Sequence, residues 1–415
     1  MRAKPRLLFL CQTLPYPPDG GVNIRAYHVL RLLAREFRVT ALCFFRRDDR
    51  VSREAVEGGV AGLRPFGEIE AFPIPQEYAV TRLVWDHLRS VVRRRAYTVY
   101  TYESRPFQAR LGALLRQRFD LVHMDSLDLA GYLDRLEGTP VICTHQNIES
   151  SLLHRRAAGE RSVLRRTYLS WQAGQLANLE REWCERVALN VTVSDKDAHD
   201  LRRLAPRAHI AVVPNGVDVE AFRPEAGADN GLVFVGGANW FPNRDALVYF
   251  SEEILPLIQK SRGNLGVRWV GRGTERDREH FRDRYGIEVV GYVADVRPYI
   301  RDAACYVVPL RVGGGTRLKV LDAWAMGKAV VSTSIGCEGL AAVNGLNILI
   351  RDDPAGFADA VRAVLSDPAL RGALGREARA TVERAYSWEV IGGEMMCMYR
   401  SILEPRQPVS VLLNT

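Results

Sequence analysis

Residues 311–339, RVGGGTRLKVLDAWAMGKAVVSTSIGCEG, set three glycines directly before a helical pattern and follow that helix with a short β-rich run. Glycine lets a backbone come close to a ligand, and the free N–H groups at a helix start attract phosphate. Arg317 and Lys319 bring positive charge to that start, and Asp322 adds a carboxylate one turn further on. Helix followed by strand is the repeat of a parallel α/β sheet, and this repeat is equipped to hold a nucleotide diphosphate.

The rest of the chain continues the alternation. Arg6 to Gln12, Arg38 to Phe45, Asp120 to Met124, Val141 to Thr144 and Val187 to Val193 read as strands, with helical stretches such as Asn23 to Glu36 and Ser104 to Arg118 between them. The second half repeats the scheme with Leu232 to Val235, Val267 to Val270, Glu288 to Val290, Cys305 to Val308 and Ala329 to Thr333. A chain of 415 residues exceeds what one hydrophobic core supports. Two Rossmann-like lobes are the economical reading. The boundary falls where a strand-like run ends in Pro214, Asn215 and Gly216 and a polar connector runs through Pro224 to Asp229. Residues 1–214 and 215–387 are thus the expected domains. Trp388 to Leu403 reads as a helix, and the 388–415 tail is expected to pack back on the first lobe.

Composition excludes several classes. With 47% hydrophobic and 26% charged residues the chain is neither disordered nor membrane-embedded, and no apolar run of about 18 residues occurs. The N-terminus passes into a strand without a signal-peptide pattern, so a cytoplasmic location is expected. Seven cysteines stand singly, which argues against a zinc site and a disulfide framework. The net charge of +8 is carried by arginine, since lysine occurs only at positions 4, 196, 260, 319 and 328. Arginines cluster at Arg89, Arg93, Arg94 and Arg95, and again at Arg155, Arg156, Arg161, Arg165 and Arg166. Trp85, Tyr97, Tyr100, Tyr102, Tyr168 and Trp171 lie among them, a mixture that suits an anionic membrane surface or, equally, solvated helix faces. No nucleic-acid module accompanies the charge, and no nucleic-acid partner is expected.

VTVSDKDAHDL, VVPNGVDVEAFRP, LVFVGGANWFPNRDALVYF and GGGTRLKVLDAWAMGKAVVSTSIGCEGL resemble family-4 glycosyltransferases of the GT-B architecture. The likeness covers the second lobe nearly end to end; in the first it rests on Gly20-Gly21, the strand pattern and THQNIES. It is nearest to the sugar transferases of bacterial exopolysaccharide export and PEP-CTERM sorting systems. The resemblance implies two lobes whose parallel sheets face across a cleft, with a nucleotide-sugar donor, UDP- or GDP-linked, held mainly by the second. It implies retaining, metal-independent transfer of a hexose to a hydroxyl of a glycan, here a lipid-linked one, with no cofactor beyond the donor.

Residue by residue, Gly313, Gly314, Gly315 and Thr316 are expected to supply backbone donors, and Arg317 and Lys319 to stabilise charge on the departing diphosphate. The resemblance gives Asp322 the nucleotide ribose. Two departures stand out: Gly314 occupies the place of a glutamate that contacts the donor sugar in many relatives, and Gly237 and Asn243 replace a basic pair, leaving Arg244 as a candidate helper. Gly20 and Gly21 lie between the first strand and the first helix, where a backbone approaches phosphate or sugar. His145 follows a strand at the sheet's carboxyl end, and in relatives a histidine there reaches the reacting sugar. His123 and Asp125 form a second, acceptor-side candidate. Asp195-Lys196-Asp197 imitates a metal-binding DxD, but Ser194 before it reads as a helix cap, and no metal is expected. Nucleotide-sugar 2-epimerases share this architecture, and a noncatalytic nucleotide-sugar-binding partner of an export complex is the alternative from another class.

Overall fold

The computed structural model describes the chain except residues 1–2, 47–51, 79, 161, 264, 314–316 and 405–415. The chain divides into two compact units, residues 1–213 with 392–415, and residues 214–391.

The first unit contains strands β1 (Arg6–Cys11), β2 (Arg38–Phe45), β3 (Glu68–Pro73), β4 (Leu121–Met124), β5 (Val141–His145), β6 (Leu189–Thr192) and β7 (Ile210–Val212). They pair in parallel in the order β3-β2-β1-β4-β5-β6-β7. The second contains β8 (Leu232–Val235), β9 (Val267–Val270), β10 (Ile287–Gly291), β11 (Cys305–Val308), β12 (Val330–Ser332) and β13 (Leu349–Ile350), parallel in the order β10-β9-β8-β11-β12-β13. Both are Rossmann-like, as the alternation of elements requires.

The central strands are apolar on both faces because helices cover both. Leu7 to Cys11 and Cys305 to Val308 are fully buried. One core gathers Leu8, Phe44, Phe107, Val122 and Trp183 in the first unit; another gathers Phe234, Trp269, Tyr306, Trp324 and Phe357 in the second. Two strands have no such signature. β3 is an edge strand of mixed composition, EIEAFP, and β13 has two residues.

The helix Trp388–Leu403 gives its first turn to the second unit and the remainder to the first. Within the second unit, the Trp388 ring closes over Gly216, where an added Cβ would come within 2.8 Å. Within the first, Tyr399 is hydrogen-bonded to His123 at 2.6 Å and Arg400 pairs with Glu36.

Candidate functional site

In a sheet of this kind the chain runs outward in opposite directions from two central strands, and the loops leaving them part to form a crevice at their carboxyl ends. The pair is β1 and β4 in the first unit and β8 and β11 in the second. Three α-helices begin at these crevices, Gly21–Glu36, Phe241–Tyr249 and Leu318–Ala325, whereas β4 leads into the 3-10 helix Leu127–Arg135. None of the three α-helices is closed by a side-chain cap or carries an acid in its first turn. Several other helices are closed, by Ser126, Ser194, Thr274, Asp353 and Asp367. Their first-turn N–H groups are thus open to an external anion in a way the capped helices are not.

The β8 crevice is built on aromatic rings. Phe234 stacks on Trp269 at 3.8 Å, and the Trp269 indole donates to the Gly236 carbonyl at 3.1 Å. Asn243 Nδ2 donates to the Gly237 carbonyl at 3.1 Å, while its Oδ1 accepts from Lys319 Nζ at 2.7 Å. The Lys319 ammonium also lies 4.2 Å above the Phe234 ring. Lys319 is therefore held, not mobile. Burial, and after it the charge of Arg317, pushes its amine from 10.5 down to about 7.

Arg317 is the cap residue of Leu318–Ala325 and is buried. Its Nε donates to the Ile335 carbonyl at 3.0 Å, and its guanidinium lies 3.7 Å from Glu338. Gly313 has φ +148°, and a Cβ there would meet the Arg317 guanidinium at 2.8 Å. The turn's first glycine is thus needed to admit this arginine. A helix N-terminus repels cations, yet this one has a guanidinium and an amine in its first turn and no acid. Such an arrangement is relieved by an anion placed among them. Asp322 lies one turn further, its carboxyl raised to about 7 by burial. Gly314, Gly315 and Thr316 lie outside the described residues.

One expectation about a neighbouring residue is corrected. Arg244 pairs with Asp277 at 2.8 Å, the carboxylate that completes the cap of Glu275–Tyr285, so its charge is already engaged. Gly271 packs against Gly237: with φ +147° there, a Cβ would come within 2.5 Å of the Gly237 nitrogen, while a Cβ on Gly237 would meet Asn239 Oδ1 and the Arg272 backbone. Arg311 is likewise held by Asp245 at 2.7 Å.

In the first unit, Gly20 has φ +85°, and a Cβ there would meet nothing within 4 Å; Gly21 opens the helix Gly21–Glu36. His145, the last residue of β5, is 4% exposed. Its Nε2 is 2.9 Å from Asn190 Oδ1. The Asn190 amide donates to the Cys184 carbonyl at 2.7 Å, which turns its oxygen toward the histidine and places the imidazole proton on Nε2. Burial lowers this imidazole to about 4, so it is neutral near pH 7 with Nδ1 as acceptor. His123 and Asp125 are interior: His123 stacks on Phe9 at 4.5 Å and bonds Tyr399, and Asp125 accepts from Cys11 at 3.4 Å. They hold the packing of β1 and β4 and are not an open acceptor site. Ser194 accepts from the Asp197 N–H at 3.1 Å, the expected helix cap.

A group of acids beyond β4, β5 and β6 has no motif to mark it in the chain. Glu149 is raised to about 8 and Glu180 to about 7, each by burial first and then by neighbouring carboxylates, and Glu180 is bonded to Ser150. Among the described residues no group of three or more His, Cys, Asp or Glu is placed to hold a metal ion.

Two parallel Rossmann-like units with open crevices at their switch points define the GT-B class of fold. The Glycosyltransferase Family 4 model matches residues 19–221 and the Glycosyl transferases group 1 model residues 229–367, one in each unit. The chain is a family-4-like member of the GT-B glycosyltransferases. It is 29% identical over 242 residues to a D-inositol 3-phosphate glycosyltransferase of Kribbella flavida, covering 51% of this chain and 56% of that one. A phosphatidyl-myo-inositol mannosyltransferase of Mycobacterium tuberculosis is 26% identical over 237 residues, 52% of this chain and 61% of the relative. The chain thus spans little more than half the length of these curated relatives. Among solved structures, Anabaena HepE in complex with UDP superposes with a TM-score of 0.67 at 13% identity, over 95% of this chain and 100% of that one. Sucrose-phosphate synthase of Thermosynechococcus elongatus superposes at 0.68 with 18% identity, over 96% and 99%. At these identities the superpositions speak for the fold.

Proposed function

We propose that the protein moves a hexose, with retention, from a nucleoside-diphosphate donor to a hydroxyl of a lipid-linked glycan in bacterial exopolysaccharide synthesis, acting at the inner face of the cytoplasmic membrane. The observation that carries this reading is the reversed electrostatics of the helix Leu318–Ala325: Arg317 and Lys319 stand at its uncapped start with no acid in the first turn, and the nearby carboxylate, Glu338, lies 3.7 Å from the Arg317 guanidinium. When the anomeric C–O bond breaks, negative charge builds on the leaving diphosphate. Cations and N–H dipoles fixed beforehand at that place stabilise the transition state more than the bound donor.

Each residue has a task in this account. Lys319, held down to about 7 by burial, regains its full charge when a diphosphate lies beside it. Arg317 supplies permanent charge. Asp322 accepts the ribose hydroxyl, and its carboxyl ionises on doing so. His145, neutral and oriented by Asn190, offers Nδ1 to a hydroxyl of the transferred sugar and is not a general acid. Gly20 leaves room for a ligand before the first helix, which Gly21 opens. Retention and metal independence rest on the family resemblance. HepE, solved with UDP and with UDP-glucose, supports a uridine donor ahead of a guanosine one.

The test is transfer from labelled UDP- and GDP-hexoses to a polyprenyl-linked glycan acceptor, with the product's anomeric configuration read by NMR. An axial-donor, axial-product outcome supports the reading. An isomerised donor without acceptor points instead to an epimerase, and donor binding without turnover on any acceptor overturns the catalytic assignment.

A further inference from the structure

The helix Val80–Arg93 is inside out. Its polar residues face the protein: Arg82 pairs with Asp86 at 3.0 Å, Asp86 accepts from Gln76, and Ser90 accepts from Gln172 at 2.8 Å. Asp86 and Ser90 are fully buried. Its apolar residues face outward at helical spacing: Val84, Trp85, Leu88, Val91 and Val92, with Trp85 61% and Val92 82% exposed. Ordinary surface helices are built the other way round, so this face has an occupant that the isolated chain lacks.

The neighbouring helix extends the patch. His87 and Ser90 meet Tyr168 and Gln172 of Val163–Cys184, so the two helices run side by side in the same direction. Leu164, 84% exposed, and Val163 lie one turn before Tyr168, level with the start of Val80–Arg93. Around the patch arginine predominates, with Glu77 and Glu160 at its margins, the second accepting from the Ser162 N–H. Arg93, Arg94 and Arg95 are exposed and, with Arg165 and Arg166, form no ion pair among the described residues. The adjacent acids are occupied: Asp86 by Arg82, Glu103 by Arg82 and Arg89. Tyr100 and Tyr102 are interior and take no part. Among the described residues no helix is long and apolar enough to cross a membrane.

We propose that Val80–Arg93, with Val163 and Leu164, docks the first unit on an anionic lipid bilayer, lying in the interface with its apolar side chains among the acyl chains and the arginines on the headgroups. A helix of this length spans roughly 21 Å in the membrane plane, enough to present Trp85, Leu88 and Val92 together. Charge decides the occupant: a rim in which the exposed Arg93, Arg94, Arg95, Arg165 and Arg166 outnumber the acids fits a phospholipid surface and would repel a second copy of itself. The inference does not rest on the transferase reading.

The test is flotation of the full chain with vesicles of phosphatidylcholine alone, or containing about 30 mol % phosphatidylglycerol. Binding is expected only to the anionic vesicles. Trp85→Ser/Leu88→Ser should lower it roughly tenfold or more, because exposed apolar area is lost without touching the core. Arg93→Gln/Arg95→Gln should lower it similarly and remove its salt dependence. Circular dichroism and thermal melting of both variants should match the wild type. No flotation, binding unaffected by the Trp85/Leu88 change, or self-association that this change abolishes would each overturn the proposal; the last would assign the face to a second copy.

Discussion

Lys319 offers a sharp prediction, because its charge and the donor's are coupled. Holding its amine at about 7 instead of 10.5 costs the charged form on the order of 5 kcal/mol. The folded pKa lies below the unfolded one, so the unfolded chain binds more protons between about pH 7 and 10.5, and stability rises with pH through that window. A bound diphosphate reverses the preference by favouring the ammonium. If the amine is fully charged in the complex, apparent donor affinity falls about 25-fold between pH 6.5 and 8.5. A nucleotide sugar's diphosphate does not titrate in that range, so the slope belongs to the protein. Asp322, raised to about 7, acts in the opposite sense: its carboxylate accepts the ribose hydroxyl better as pH rises, offsetting the effect by up to about fourfold. Calorimetric titration of UDP-glucose into Asp322→Asn therefore isolates the lysine. Arg317, the other charge beside the amine, stays protonated throughout. The steep fall should appear in Asp322→Asn and vanish in Asp322→Asn/Lys319→Met. A flat profile in the first, or an unchanged slope in the second, refutes the role given to Lys319.

Other outcomes follow from the same geometry. Lys319→Ala should lower turnover by roughly 10² or more in initial-rate assays, the usual cost of losing one fixed charge stabiliser. Gly271→Ala places a Cβ within 2.5 Å of the Gly237 nitrogen at φ +147° and should cost about 2–4 kcal/mol in denaturant unfolding. Glu149 and Glu180 have folded pKa values above their unfolded ones, so their contribution to stability is present at acid pH and is lost as pH rises through about 8 and about 7. The melting temperature should accordingly fall between about pH 5 and 8, and Glu149→Gln should flatten that fall. His145→Gln should leave donor affinity unchanged and lower kcat about tenfold, the loss of one hydrogen bond to the sugar.

The sheets were legible because a strand covered on both faces must be apolar throughout, as LLFLC and CYVV are. β3 escaped because an edge strand tolerates the glutamates of EIEAFP, and β13 because two residues carry no period. The glycine block announced its crevice for a similar reason: glycine and cation at a helix start have few structural uses together. Its partners were not legible. Asn243 and Lys319 stand 76 positions apart, and only folding brings the amide oxygen to the amine. Separation in sequence likewise hid the pairing of Arg244 with Asp277, which made an engaged arginine look available. Nor does any local pattern announce that the Gly271 backbone packs against the Gly237 nitrogen. The outward-facing apolar side of Val80–Arg93 was likewise hidden, since periodicity shows that a helix has two faces and not which one the protein covers.

The central claim is that a nucleoside diphosphate sugar binds at the crevice between β8 and β11, on the start of Leu318–Ala325. Hydrogen exchange of the full chain with and without saturating UDP-glucose or GDP-mannose tests it most directly, since bound ligand protects the amides it covers. The account predicts slowed exchange over residues 236–244 and 311–322, lost in Lys319→Ala, with residues 80–93 unchanged. Protection confined to other segments, or none with either donor at concentrations that shift the melting temperature, would contradict it.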